Sequence, residues 1–307
     1  MKTLQIIIHC LPREIDQLER VLNKLHESSF FLGEEDKVII DVTLNLNDVF
    51  IDWESSILDK QFFITKFHQL EKKSTWAYKT LFDVDDKGGC LGINDKRRNS
   101  INNVENEVTH LMYLDLDVFF SKLNLYFIFQ SLEQIKNQYH IVSSELTKLW
   151  DSSWDLLSNK KFNNKSYDFW KTLNPYSIEY HVNNEEEFNI KPLNTIKFGG
   201  GWFNVFSVNL LKFIGIPDSL GPYGLDDTYI MEASKLMKIK GYDITQYILV
   251  GNIICENIKY SIYNYNPYEK YITDKSFING GKEFKQKFRK NSQINFEKEL
   301  QKFNNKL

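Results

Sequence analysis

The stretch YLDLDVFF, residues 113–120, decides how this chain reads. An apolar lead-in, LMYL (111–114), ends on two carboxylates, Asp115 and Asp117, set two apart. In a strand, residues i and i+2 point to one side of the sheet. The pattern therefore turns Asp115 and Asp117 toward a common ligand and Leu116 back into the core. Carboxylates are hard oxygen donors that suit Mg²⁺ or Mn²⁺. Such an ion keeps part of its water and is completed by substrate phosphates. The pair thus points to a metal that joins the protein to a diphosphate. An ordinary surface strand end carries the same spacing, so the flanking sequence has to decide.

Upstream, short β-rich and helical patterns alternate. LQIIIHC (4–10) is a strand pattern, and Ile15, Leu18, Val21, Leu22 and Leu25 form a helical stripe over 14–26. KVIIDVTLNL (37–46) is a second strand, which makes a βαβ unit and a parallel sheet. Residues 54–73 read as a helix, and 83–95 as a turn region around Gly88, Gly89 and Gly92. A polar helix over 95–107 leads into a strand at 108–114. Downstream, 123–135 is helical and 140–146 a strand. Residues 150–195 form an irregular, Trp- and Asn-rich insertion.

Composition narrows the function classes. The chain has 307 residues, enough for one large core, and a net charge of −3, so no basic field invites nucleic acid. Cys10, Cys90 and Cys255 form no C-x-x-C pair and read as buried thiols of a reducing compartment. The N-terminal apolar run is too short for a signal peptide, and none is long enough to span a bilayer. These features describe a soluble, cytoplasmic protein.

A second block, 196–237, carries further chemistry. Gly199, Gly200 and Gly201 allow close approach of backbone to a ligand, and Trp202 offers a stacking surface for a sugar ring; a tight turn with a buried Trp is the plainer reading. Gly221, Pro222 and Gly224 then form a loop, closed by Asp226 and Asp227 at the start of a helix. Negative charge is favoured there, as a cap or as something more.

Taken in order, these segments resemble the GT-A glycosyltransferases, and glycosyltransferase family 2 in particular. The resemblance covers about residues 1–260. It rests on the IIIHC strand and following helix, on GINDKRRNSINNVENEVTHLMYLDLDVFF (92–120), on FGGGWFNVFS, and on GPYGLDDTYI, with about 110 residues between the two acidic motifs. It implies an α/β fold with a mixed, mostly parallel central sheet flanked by helices. The catalytic domain would span 1–265, with a nucleotide-sugar-binding half (1–120) and an acceptor half (121–265).

The resemblance also implies roles. Asp117 would ligate Mn²⁺ or Mg²⁺, and Asp115 would bind the ribose, or the metal through water. Arg98 or Arg97 would contact the diphosphate or base, a solvated helix face being the alternative, and Asn45 would belong to the same donor site. Asp227 would be the general base, with Asp226 holding the acceptor or tuning its neighbour, so that the sugar leaves a UDP-sugar donor with inversion. Gly200, Gly201 and Trp202 would face the acceptor. Many relatives take a further metal ligand from a histidine after the acidic pair. All six histidines here precede Asp227, which leaves Glu256 or Asn257 as the replacement, or else a metal resting on Asp117, water and phosphates alone. The implied setting is polysaccharide biosynthesis with a hydroxyl acceptor. A nucleotidyltransferase, or a non-catalytic nucleotide- or sugar-binding protein, is the alternative.

The tail, 266–307, is basic, with Phe284, Phe288, Phe296, Leu300 and Phe303 at helical spacing. Such a helix either packs back on the domain with its lysines solvated or makes peripheral contact with the inner face of a membrane.

Overall fold

A computed structural model describes residues 2–49, 51–73, 79–148, 189–197, 199, 203–256 and 282–307. Its centre is a nine-stranded mixed sheet. The strands are β1 (Lys2–Cys10), β2 (Asp36–Asn45), β3 (Lys79–Asp85), β4 (His110–Leu114), β5 (Val118–Phe120), β6 (Tyr139–Lys148), β7 (Asn189–Pro192), β8 (Phe203–Ser207) and β9 (Ile244–Glu256). The order is β3-β2-β1-β4-β8-β6-β9-β5, with β7 also on β9. β3, β2, β1 and β4 pair in parallel, as do β6 and β9. β8 runs antiparallel between β4 and β6, while β5 and β7 lie antiparallel on β9.

Helices cover both faces: α1 (Ile15–Ser29), α2 (Lys60–Lys73), α3 (Ile93–Asn102), α4 (Asn124–Gln134), α5 (Val208–Ile214), α6 (Asp226–Ile239) and α7 (Lys282–Lys306). Alternation along β1 sends Leu4, Ile6 and Ile8 into a core layer with Leu18 and Leu22 of α1 and Phe63 of α2. Ile7 faces the opposite layer, with Ile101 of α3, Leu210 of α5 and Ile230 of α6. Strands covered on both faces read as continuous apolar runs, as IIIHC does. The mixed, mostly parallel α/β sheet implied by the GT-A resemblance is therefore present.

Several boundaries differ from the sequence expectation. α2 begins at Lys60 rather than near 54, because the Asp59 carboxylate accepts from the Phe62 backbone N–H at 2.8 Å and starts the helix there. α3 spans 93–102 and not 95–107. Residues 189–192, assigned to the irregular insertion, pair with β9 as an edge strand; residues 149–188 lie outside the described part. β3, β8 and β9 were not separated from their neighbouring turn and loop patterns.

The tail packs back on the domain. Phe303 is 5% exposed and meets Phe213 and Tyr229 edge-on, at centroid distances of 6.1 and 6.4 Å. Phe296 and Leu300 join the same layer, and Phe288 covers a small cluster around Leu11 and Ile51. Lys287, Lys290, Lys298, Lys302 and Lys306 stay exposed. Among the described residues no helix is long and apolar enough to cross a membrane. All three cysteines are buried, and none is in a disulfide among the described residues.

Candidate active site

The parallel strands put their carboxyl ends on one edge of the sheet, where ligands bind in open α/β folds. Asn45, Asp85, Asp115 and the end of β9 at Glu256 all arrive there. The D-x-D itself is not strand. β4 stops at Leu114, and residues 115–117 turn into β5. Strand periodicity therefore does not give Asp115 and Asp117 a shared face. Leu116 is 4% exposed in the core, while Asp115 and Asp117 are half-buried. Arg20 of α1 fixes that turn, donating to Leu116 O at 2.6 Å and Val118 O at 3.1 Å. Its guanidinium also lies over the Phe119 ring at 4.0 Å.

Arg97 of α3 joins the two acidic motifs. It donates through Nη1 to Asp226 Oδ2 at 2.7 Å and through Nη2 to Asp115 Oδ1 at 3.2 Å. Its guanidinium stands 4.8 Å from the centroid of the Tyr113 ring. Arg97 and Asp226 are almost wholly buried. Burial disfavours the charged guanidinium, but Asp226 and Asp115 outweigh it and hold Arg97 firmly protonated. Arg98, by contrast, turns to the protein: it pairs with Asp95 at 2.7 Å and Asp218 at 2.9 Å and donates to the carbonyls of Ile216 and Pro217.

Asp227 lies in the first turn of α6, partly solvent-exposed but crowded by protein on most sides. Desolvation raises its pKa to about 6, with the Asp226 charge adding to the rise and Arg97 opposing it. Its Oδ1 accepts from the Thr228 backbone N–H at 2.6 Å and the Thr228 hydroxyl at 3.2 Å. Oδ2 has no such partner among the described residues.

Asn45 closes β2 but is fully buried. Its Nδ2 donates to Cys90 O at 2.6 Å and lies 3.1 Å from His9 Nε2, while Oδ1 accepts from Asn47. It shapes the rim of the site from below. Above it, the Asp85 carboxylate gathers the backbone N–H groups of Lys87, Gly88, Gly89 and Cys90. Gly200, Gly201 and Trp202 lie outside the described residues, as does Asn257.

The donor set suits a hard, hydrated cation. Asp115 and Asp117 are carboxylates at a half-open turn, and β5–β9 pairing sets the Glu256 backbone opposite Val118, next to Asp117. No three His, Cys, Asp or Glu side chains converge as a metal cluster among the described residues. Any such ion would rest on Asp117 and Asp115 together with water and diphosphate oxygens.

No family model matches the chain, and no curated protein matches it by sequence. Solved structures do. The S. aureus TarS fragment 1–349 is similar at 13% identity over 81% of this chain, with TM-score 0.46. The same fragment has been solved with UDP-GlcNAc, matching at 12% identity, 81% coverage and TM-score 0.46. Glucosyl-3-phosphoglycerate synthase from Mycobacterium tuberculosis, in complex with Mn²⁺, UDP and glucosyl-3-phosphoglycerate, matches at 12% identity over 80% of this chain and 69% of its own, with TM-score 0.41. The chain spans 60% of the first TarS fragment and 58% of the second.

Three contributors escaped the sequence reading. Arg20 is half-buried, off the apolar stripe of α1, and shows no motif. Tyr113 read only as part of an apolar run. The role of Arg97 as a bridge depends on two partners 18 and 129 positions away, a pairing that local pattern does not encode.

Proposed function

We propose that the chain is a glycosyltransferase that moves a sugar from a nucleotide-sugar donor, UDP-sugar in the first instance, to a hydroxyl acceptor with inversion. One observation carries this reading. Two acidic motifs far apart in sequence meet at a single buried guanidinium, and the Asp227 carboxylate beside them has its pKa pushed up to about 6.

Each residue then has a defined task. Asp227 Oδ2 takes the proton of the acceptor hydroxyl as its oxygen attacks the anomeric carbon. A base works best when its pKa lies near the operating pH, and a value of about 6 meets that need. Thr228 holds Oδ1 and so fixes which oxygen faces the acceptor. Asp226 is ion-paired with Arg97, and its negative charge still helps keep Asp227 basic, with Arg97 opposing it. Arg97 also ties Asp115, on the donor side, to the acceptor side, which fixes the relative position of the two half-sites. A divalent metal held by Asp117 and Asp115 would neutralise charge on the departing nucleoside diphosphate.

A donor screen tests the proposal. Nucleotide sugars are scanned by thermal shift with Mn²⁺ and with EDTA, and hits are assayed for donor hydrolysis and transfer. Binding of a nucleoside diphosphate and inverted product anomers support it. Release of pyrophosphate from a nucleoside triphosphate would instead mark a nucleotidyltransferase, and binding without turnover a non-catalytic receptor.

A further inference from the structure

The loop that delivers the acidic pair is held by side chains from two helices on either side of it. From α3, Arg98 donates to Ile216 O at 2.9 Å and Pro217 O at 3.0 Å. Asn94 donates to Gly221 O and Gly224 O, both at 3.1 Å, and its Oδ1 accepts from Gly224 N at 3.2 Å. The Asn94 backbone N–H reaches Pro222 O at 3.0 Å. From α7, Asn295 donates to Ser219 O at 2.8 Å, and the Ser292 hydroxyl lies between Leu220 O and Tyr223 O. Irregular backbone needs partners for its carbonyls, and here they come from side chains and backbone together, with the single Ser292 O–H shared among Leu220 O, Tyr223 O and its own helix at Phe288 O. Asn94 and Ser292 are both fully buried.

The loop needs that restraint. Leu225, directly before the acids, has φ of 59°, a left-handed conformation that costs a non-glycine residue about 1–2 kcal/mol. Such strain persists only where the surroundings over-determine it. Contact with α3 is equally tight: a Cβ on Gly92 would fall 2.3 Å from Pro222 O.

We propose that Asn94 and Ser292 are positioning residues for Asp227, and that α7 belongs to the catalytic apparatus as one jaw of a clamp on residues 216–224. The inference rests on Asp227 as the base, and its test separates the two. The full chain is compared as wild type, Asn94→Ala, Ser292→Ala, Ser292→Thr and Asp227→Asn. Hydrogen exchange reads the loop, and single-turnover transfer reads the chemistry.

Asn94→Ala and Ser292→Ala are expected to speed exchange in 216–229 while leaving β1 and β2 unchanged. Transfer should slow by about 10- to 100-fold, the effect of a small misplacement, with donor KM little altered. Ser292→Thr, which keeps the hydroxyl, should recover most of the rate. Should Asn94→Ala not fold, Asn94→Asp, which keeps the shape but loses the Nδ2 donor to Gly221 O and Gly224 O, replaces it. Unchanged exchange in 216–229 overturns the clamp. Faster exchange with an unaltered rate, in an enzyme that Asp227→Asn inactivates, overturns the positioning role. If Asp227→Asn itself transfers normally, the base assignment fails, and the exchange data alone decide whether the clamp exists.

Discussion

Arg97 donates to Asp226 at 2.7 Å across 129 positions of sequence, and both side chains are almost fully buried. Removing one member of such a pair leaves an uncompensated buried charge, which costs about 3–5 kcal/mol. Arg97→Met should therefore destabilise strongly, as read by chemical denaturation. Arg97→Met with Asp226→Asn should recover much of that loss without recovering transfer. Equal stability of the single and double variants would show that the pair carries no such weight.

Asp227→Asn separates stability from activity. With its folded pKa raised to about 6 from 3.8, the carboxyl is stabilising below the unfolded value, and that contribution is lost as pH rises through about 6. At pH 7 the ionised group is a burden of order 1–3 kcal/mol. The variant should thus melt at or above the wild-type temperature at pH 7 and lose the advantage near pH 4. Transfer should fall about 10²–10⁴-fold, the usual cost of a removed base. Wild-type kcat should rise with pH through about 6. A flat profile from pH 5 to 8 contradicts the assignment.

The D-x-D turn makes a separable prediction about the metal. Asp117→Ala should abolish most of the gain in nucleoside diphosphate affinity brought by Mn²⁺. Asp115→Asn should act less on the metal and more on Arg97, whose Nη2 it contacts. Calorimetry with and without EDTA distinguishes them, and equal affinities in both buffers would remove the metal from the site.

On the opposite edge of the sheet, His110 and His140 meet Nε2 to Nε2 at 2.8 Å. Burial, then the His140 and Lys2 charges, lower the His110 pKa to about 3, and burial lowers that of His140 too. A lowered histidine pKa means the unfolded chain binds protons first, so stability falls as pH drops through about 6.5 toward 3. From pH 7 to 5 the loss attributable to His110 is about 2 kcal/mol. Urea midpoints measured across that window should show it, and His110→Gln should flatten the slope.

Much of the fold was legible because β1 and β2 carry short β-branched runs, IIIHC and KVIIDV, and α1 carries an unbroken stripe. β3 and β7 were not, because edge strands such as KTLFDVD mix charge with apolar residues and resemble loops. β8 hid between a glycine run and a helix. The acidic residues of the candidate site stand out in the sequence, Asp115 and Asp117 by their spacing and Asp226 and Asp227 by the glycine-rich loop before them. Their mutual arrangement does not, since it depends on Arg97, Asn94 and Ser292, whose partners in the two acidic motifs and their loop lie 18 to 130 positions away. Arg98 and Asn45 show the converse: their sequence positions suggest ligand contact, whereas their hydrogen bonds go to the protein.

The dependence of the acidic loop on α7 also has a consequence for synthesis. Chains emerge from the ribosome at about 5–20 residues per second, N-terminus first. Asp226 and Asp227 leave the tunnel well before Lys282, the first residue of α7. For those seconds the nascent chain carries both acidic motifs on a nearly complete sheet, but the layer around Tyr229 lacks Phe296 and Phe303, and the Leu220 and Tyr223 carbonyls lack Ser292. Nascent chains arrested before α7 should accordingly hold an open, protease-sensitive loop, with cleavage in 216–225 disappearing only once α7 has docked.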